Sequence, residues 1–313
     1  MLFQKKDMFS RASCSNSNEG EILYAMVPDP TGSVNSNVRT WSFVYGNVEP
    51  NLVHYFEHLD NAFRRVYVNS IAPFEETWLD EAMAWEAQEL VFFNVSLGLA
   101  PRSNIVVSNL TTGPNASRRV AAFNTFDNPL FNGVYNYFMS PGSAFSNAPM
   151  GPFNQQGYGT DAGAFAITGF FLRYALDRKN ADATGDQATL KSLVDTQSTG
   201  IANLSAVFGA DMQDWLNDFL VALYTDDAVA PVATQYTAPS WNYRSLFTAL
   251  RTSYPLPVKP LSDGTPLSLT FNYGGGTQYA RFGVAAGQTA TVTLTAGGVT
   301  PTDPIRTALI RTK

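Results

Sequence analysis

The stretch His54-Tyr55-Phe56-Glu57-His58 contains both histidines of this 313-residue chain. Around it, Leu52, Phe56, Leu59, Phe63 and Val66 recur at three- and four-residue spacing, the period of a helix with one apolar stripe. Pro50 is a favoured first-turn residue, so the helix is expected to run from about Pro50 to Val66. Four residues turn a helix about 40° past a full revolution, so His54 and His58 leave one face nearly in line and could share a metal ion. At about 100° per residue that face lies opposite the apolar stripe. A histidine packed into the core would sit on the stripe, which leaves a pair of surface histidines as the plain alternative. The spacing is that of zinc helices, but the usual hydrolase form H-E-x-x-H puts a glutamate general base directly after the first histidine. Tyr55 stands there instead.

Upstream, residues 1–20 are polar and read as a flexible N-terminal segment. Residues 21–27 read as a strand that ends in the turn signal Pro28-Asp29-Pro30-Thr31-Gly32, with a second short strand near Thr40 to Tyr45. Downstream, Ala72-Pro73 leads to a second helix over about Phe74 to Phe93. Its apolar residues surround most of its circumference, so it is expected to be buried on several sides. Ala82, Ala84 and Ala87 allow a neighbouring helix to come close. A carboxylate on such a helix is costly unless it is paired or bound to metal, and Glu81 is the one set most deeply among apolar neighbours.

Residues 94–160 read as loop-rich, with many Asn, Gly and Pro residues. Within them, Tyr135 to Tyr158 suits either a substrate cleft or packing loops. Helices are expected again over 162–178, 188–197, 201–208 and 212–224, with a short one near 243–250 in a proline-rich connection. The last fifty or so residues change period. Leu267, Leu269, Phe271 and Tyr273 alternate, as do Ala280, Phe282 and Val284, then Val292 and Leu294, then Ile305, Thr307 and Leu309, with glycine turns between. They read as a small antiparallel β module. The expected organisation is therefore a flexible segment over 1–20, a mostly helical domain over 21–259, and a β-sandwich-type module over 260–313: an α+β protein.

Charged residues make up 15% and aromatics 13%, a balance of a folded protein of extracytoplasmic type rather than a disordered one. The net charge of −6 leaves no basic stripe to neutralise phosphates, so nucleic acid is not an expected partner. The single cysteine, Cys14, rules out an intrachain disulfide and a cysteine-based zinc cluster. No apolar segment precedes Cys14, so lipid attachment there is not expected and an export leader is expected to be absent or already removed. The longest apolar run, Ala164 to Leu176, is shorter than a bilayer span and contains Arg173, so it reads as a buried helix.

A catalytic zinc takes three protein ligands and leaves one position open. His54 and His58 supply two, and Glu81 is the natural third, because a reversal and a second helix fit between His58 and Glu81. The pattern H-x-x-x-H followed by Trp78-Leu79-Asp80-Glu81-Ala82-Met83-Ala84 resembles the gluzincin metallopeptidases, and the wider context resembles secreted bacterial members of the hyicolysin type. In these a strand ending in PDPxG precedes the zinc helix, an E-T-W-L-x-E helix follows, and a β module closes the chain. The likeness extends over about residues 20–310 and is sharpest at 54–58 and 75–84.

The resemblance implies a zincin-like metallopeptidase domain with His54, His58 and Glu81 as zinc ligands. It makes Asp80, where relatives often carry an amide, a partner that orients a histidine. The general-base position maps to Tyr55, a phenol that keeps its proton near neutral pH and cannot replace a carboxylate there. Glu57 is the alternative base, since the five residues also satisfy the inverted H-x-x-E-H pattern, although it stands on the opposite flank of the metal. Tyr158 is a candidate to stabilise an oxyanion. The expected activity is zinc-dependent hydrolysis of a protein or peptide substrate. The alternative is a catalytically impaired pseudo-peptidase that binds its target outside the cytoplasm, and the plainest reading is a structural or adhesion protein with an incidental histidine pair.

Overall fold

Thr40, not Pro50, starts the histidine helix. The computed structural model describes residues 2–70, 74–139, 162–270, 276–301 and 305–312. In it helix α1 spans Trp41–Phe63 and carries Pro50 in its interior. The Thr40 hydroxyl caps α1 by accepting from the Phe43 N–H, so the strand expected near Thr40 to Tyr45 is instead the first turns of the helix. Proline removes one N–H from a helix and crowds the carbonyl four residues earlier. Here that residue is Gly46, and nearby the Asn47 and Asn51 side-chain amides donate to the Phe43 and Asn47 carbonyls at 2.7 and 2.6 Å. The helix continues through the proline. After Phe63 it widens into a π-helical turn, Arg64–Val68.

The face of α1 that packs is the polar one. Phe56, a member of the expected apolar stripe, is 60% exposed and Leu52 is exposed as well. His58 and Asn61 are buried against Asp80 of the second helix, α2 (Thr77–Val95), and Arg65, one turn on, is buried against Glu75 just before it. Only the later stripe residues, Leu59 and Phe63, keep their expected role, joining Ala62, Phe3 and Met8 in a small apolar cluster. The reason lies in α2, which offers Asp80 and Glu81 to this face, so imidazoles and an amide gain ionic partners that an apolar stripe could not use.

The N-terminal segment, expected to be flexible, is packed down. Strand β1 (Leu2–Phe3) pairs antiparallel with β2 (Leu23–Tyr24), and a 3₁₀ turn, Lys5–Met8, lies between them. Asp7 is fully buried, accepting from the Asn18 N–H at 2.9 Å and the Tyr24 hydroxyl at 2.5 Å.

Three helices run through the stretch expected to be loop: α3 (Val107–Thr111), α4 (Ala116–Phe126) and α5 (Asn128–Met139). The helix α6 (Ala162–Lys179) packs between α5 and α2 and is buried over almost all its described side chains. Gly169 lets it approach. A Cβ there would meet Leu130 of α5 and Trp85 of α2 at 3.2 Å each. The remaining helices are α7 (Ala183–Val194), α8 (Gly200–Phe208), α9 (Met212–Thr225) and α10 (Tyr243–Arg251).

The C-terminal antiparallel module is corrected. Among the described residues after 256, the only paired strands are β3 (Val258–Pro260) and β4 (Tyr279–Arg281), and they run parallel. Val284, Val292, Leu294, Ile305 and Leu309, the residues expected to form the inward face, are exposed. Alternation builds a sheet only where a second layer covers one face, and among the described residues none covers these. Phe271 and Tyr273 lie outside the described residues. The architecture is α+β in the broad sense: mostly helical, with two short strand pairs among the described residues. No described helix is long and apolar enough to cross a membrane.

Candidate metal centre

His54 and His58 sit one turn apart on the α1 face that meets α2, and Glu81 faces them from the start of α2. The two Nε2 atoms lie 3.2 Å apart. Glu81 Oε2 is 3.2 Å from His54 Nε2, and Oε1 is 3.6 Å from His58 Nε2. Four donors around an ion with zinc-like bonds of about 2.0–2.2 Å are separated from one another by about 3.3–3.6 Å. The two imidazole nitrogens and the two Glu81 carboxylate oxygens therefore converge at separations close to those between the donors of one metal shell. These three residues could hold a metal ion. Trp85 stands edge-on to His54 with ring centroids 5.4 Å apart, forming an apolar wall to the site.

The rear of the site is a chain of polar contacts. Asp80 Oδ2 lies 3.1 Å from His58 Nδ1 and receives Lys5 Nζ at 2.8 Å. Asp80 Oδ1 accepts from the Asn61 amide at 2.7 Å, and Asn61 Oδ1 accepts from Arg65 Nε at 3.1 Å. Arg65 in turn forms a buried ion pair with Glu75 at 2.5 Å. Glu75 ends the chain on α8, accepting from the Gly200 N–H and from the Asn203 amide, each at 2.7 Å. Gly200 has φ +55° and its Cα faces the Glu76 carboxylate, so only glycine fits this join without strain.

Charge in the site follows from this crowding. Burial disfavours the His58 imidazolium, yet Asp80, Glu81 and Glu57 outweigh it and raise its pKa to about 9. Burial works against ionised Asp80 as well, but His58 and Lys5 hold its carboxyl well below the usual carboxylate range. Glu81 is likewise held down by His54 and His58 against the cost of burial. Burial together with Asp80 pushes Glu57 far up, and both its carboxylate oxygens are buried without a hydrogen bond. Tyr55 is raised by burial and by Glu81, so its phenol holds its proton at neutral pH.

The residues singled out from the sequence come to different places. His54, His58 and Glu81 come together. Tyr55 stacks edge-on to His54 at 5.3 Å between ring centroids. Glu57 approaches His58 from the Nδ1 side, with Oε2 at 3.7 Å, away from the Nε2 atoms that converge with Glu81. Glu57 thus stands on the flank of the ring opposite the converging Nε2 atoms, as its place on the helix implies. Tyr158 lies outside the described residues.

Lys5, Asn61, Arg65 and Glu75 were missed. Asn61 and Arg65 were readable, since 54, 58, 61 and 65 mark one helical face; Lys5 carries no local signal. The chain matches no protein-family model and no curated protein sequence.

Proposed function

We propose that this protein binds zinc through His54, His58 and Glu81, and that it is a metallopeptidase-like protein with impaired hydrolysis, acting outside the cytoplasm on a protein or peptide ligand. The observation that carries the reading is the convergence of donors: the two Nε2 atoms lie 3.2 Å apart, and each faces one oxygen of the Glu81 carboxylate at 3.2–3.6 Å. A His₂Glu donor set suits zinc and leaves a position open. Zinc bound there would supply Lewis acidity toward a water or a carbonyl oxygen.

The chain's own residues decide how far hydrolysis goes. Asp80, 3.1 Å from His58 Nδ1, is placed to hold the imidazole with Nε2 toward Glu81. Tyr55, protonated at neutral pH, accepts no proton from a water. Glu57 faces the wrong nitrogen of His58. A correctly positioned general base contributes about 10²–10⁴ in rate. Tyr55→Glu should therefore raise zinc-dependent peptide hydrolysis by about that factor while zinc content stays the same. If Tyr55→Glu keeps its zinc and hydrolysis does not rise, Tyr55 is not what limits the chemistry and the impaired-peptidase reading is wrong. If an existing activity falls instead, Tyr55 itself takes part, and the protein is an active enzyme of another kind.

A further inference from the structure

Lys5 is far from the histidines in sequence and belongs to a segment that reads as loose, yet its ammonium ends on the carboxylate oxygen that contacts His58. Asp80 Oδ2 has two neighbours, Lys5 Nζ at 2.8 Å and His58 Nδ1 at 3.1 Å, while Asn61 holds Oδ1 at 2.7 Å. Asp80 is thus fixed from two sides, and one of them is the N-terminal segment. The same ammonium lies over the Phe74 ring, with Nζ 5.2 Å from its centre. The turn that carries it is clamped independently: Met8 is buried beside Leu59 and Ala62, the Tyr67 hydroxyl donates to the Met8 carbonyl at 2.5 Å, and Asp7 is closed in by Asn18 and Tyr24.

We infer that Lys5 is a positioning residue for the metal centre, so that docking of residues 2–24 and metal binding strengthen each other; this rests on the zinc reading of His54, His58 and Glu81. Lys5 acts through Asp80, which sets the direction of the His58 ring, and partners of that kind usually change metal affinity about 10–100-fold when removed. Linkage makes the effect mutual: whatever affinity for zinc the docked segment confers, zinc returns as tighter docking.

The test uses the full chain and zinc itself, with affinity read by competition against a chelating dye. Lys5→Met keeps the stem and removes the ammonium; it should weaken zinc binding about tenfold or more, and Lys5→Arg should restore most of it. The visible spectrum of the cobalt-substituted protein should shift in Lys5→Met, because the histidine it positions changes its angle to the ion. Amide exchange in wild type guards against a variant that fails to fold: zinc should slow exchange at Lys5–Met8 and Leu23–Tyr24, and should not do so in His54→Ala. Wild type that binds zinc without any slowing at those amides overturns the inference and leaves the metal centre standing. Lys5→Met that binds zinc within about twofold of wild type, with an unchanged cobalt spectrum, overturns it equally. If wild type binds no more zinc than His54→Ala, the metal reading falls and the inference falls with it.

Discussion

Helix α2 serves two ionic clusters that look alike in composition and differ in what they can do. Near its start, Asp80 and Glu81 face two histidines of α1. Further along, Glu86 and Glu89 face Arg173 of α6, which also lies 3.0 Å from Asp177 and 2.9 Å from Asp186. Arg102 closes this second cluster on Asp177 and Asp186 at 2.9 and 2.8 Å, and Trp241 donates to Glu89 at 2.5 Å. Arg173 is 2% exposed, whereas the His54 and Glu81 side chains keep 13% and 16%. A guanidinium cannot give up its charge and has no lone pair to offer a metal. An imidazole has one, and can exchange a carboxylate contact for an ion. One cluster therefore locks α2 to α6, and the other contains residues that could hold a metal ion.

The difference can be broken most forcefully at Arg173. Arg173→Met takes the buried cation away from Glu89, Asp177 and Asp186, and should destabilise the protein by about 3–5 kcal/mol in chemical denaturation. His54→Ala, by contrast, removes a group that has some access to water, and its main effect should be on metal content. Comparable losses of stability from both substitutions would mean that the histidine cluster is structural too.

A smaller effect sharpens the contrast by pH. Glu81 is held below its ordinary value, while Glu86 is pushed well above 4.5 by burial and by Glu89. In the folded protein Glu86 keeps its proton to a pH at which the unfolded chain has lost it. Its contribution to stability is thus complete below about pH 4.5 and is lost as pH rises through the folded pKa. Glu86→Gln should flatten that decline and leave stability at neutral pH unchanged or higher. Stability measured across the range above pH 4.5 decides it. A decline as steep as in wild type would mean that Glu86 is ionised in the folded state.

Much of this was legible in the residues. The i, i+4 histidines and the acidic helix after them were readable because their spacing is local and their chemistry rare. The long helices α2 and α6 were readable because they lack interior proline and are apolar on several sides. Helices α3 to α5 were hidden by Asn115, Pro129 and Gly133, which punctuate them as they would a loop. The repeat of Leu130, Phe131, Val134, Tyr137 and Phe138 was the signal there, and all five are buried. The packing face of α1 was only half legible: the histidines marked the side that meets Glu81, but not that this side is the buried one. Its apolar stripe suggested one packing face, and the charges on α2 selected another, which is a property of the pair and not of either helix. The C-terminal alternation misled for the same reason, since nothing in residues 260–313 states whether a second layer exists to cover it.

The central claim is that His54, His58 and Glu81 form one metal site. Metal content of the untagged protein, purified without chelator and compared with His54→Ala and Glu81→Gln, tests it most directly. The account predicts about one zinc per wild-type chain and a large loss in both variants. Wild type without zinc, or zinc retained in full by both variants, would contradict it.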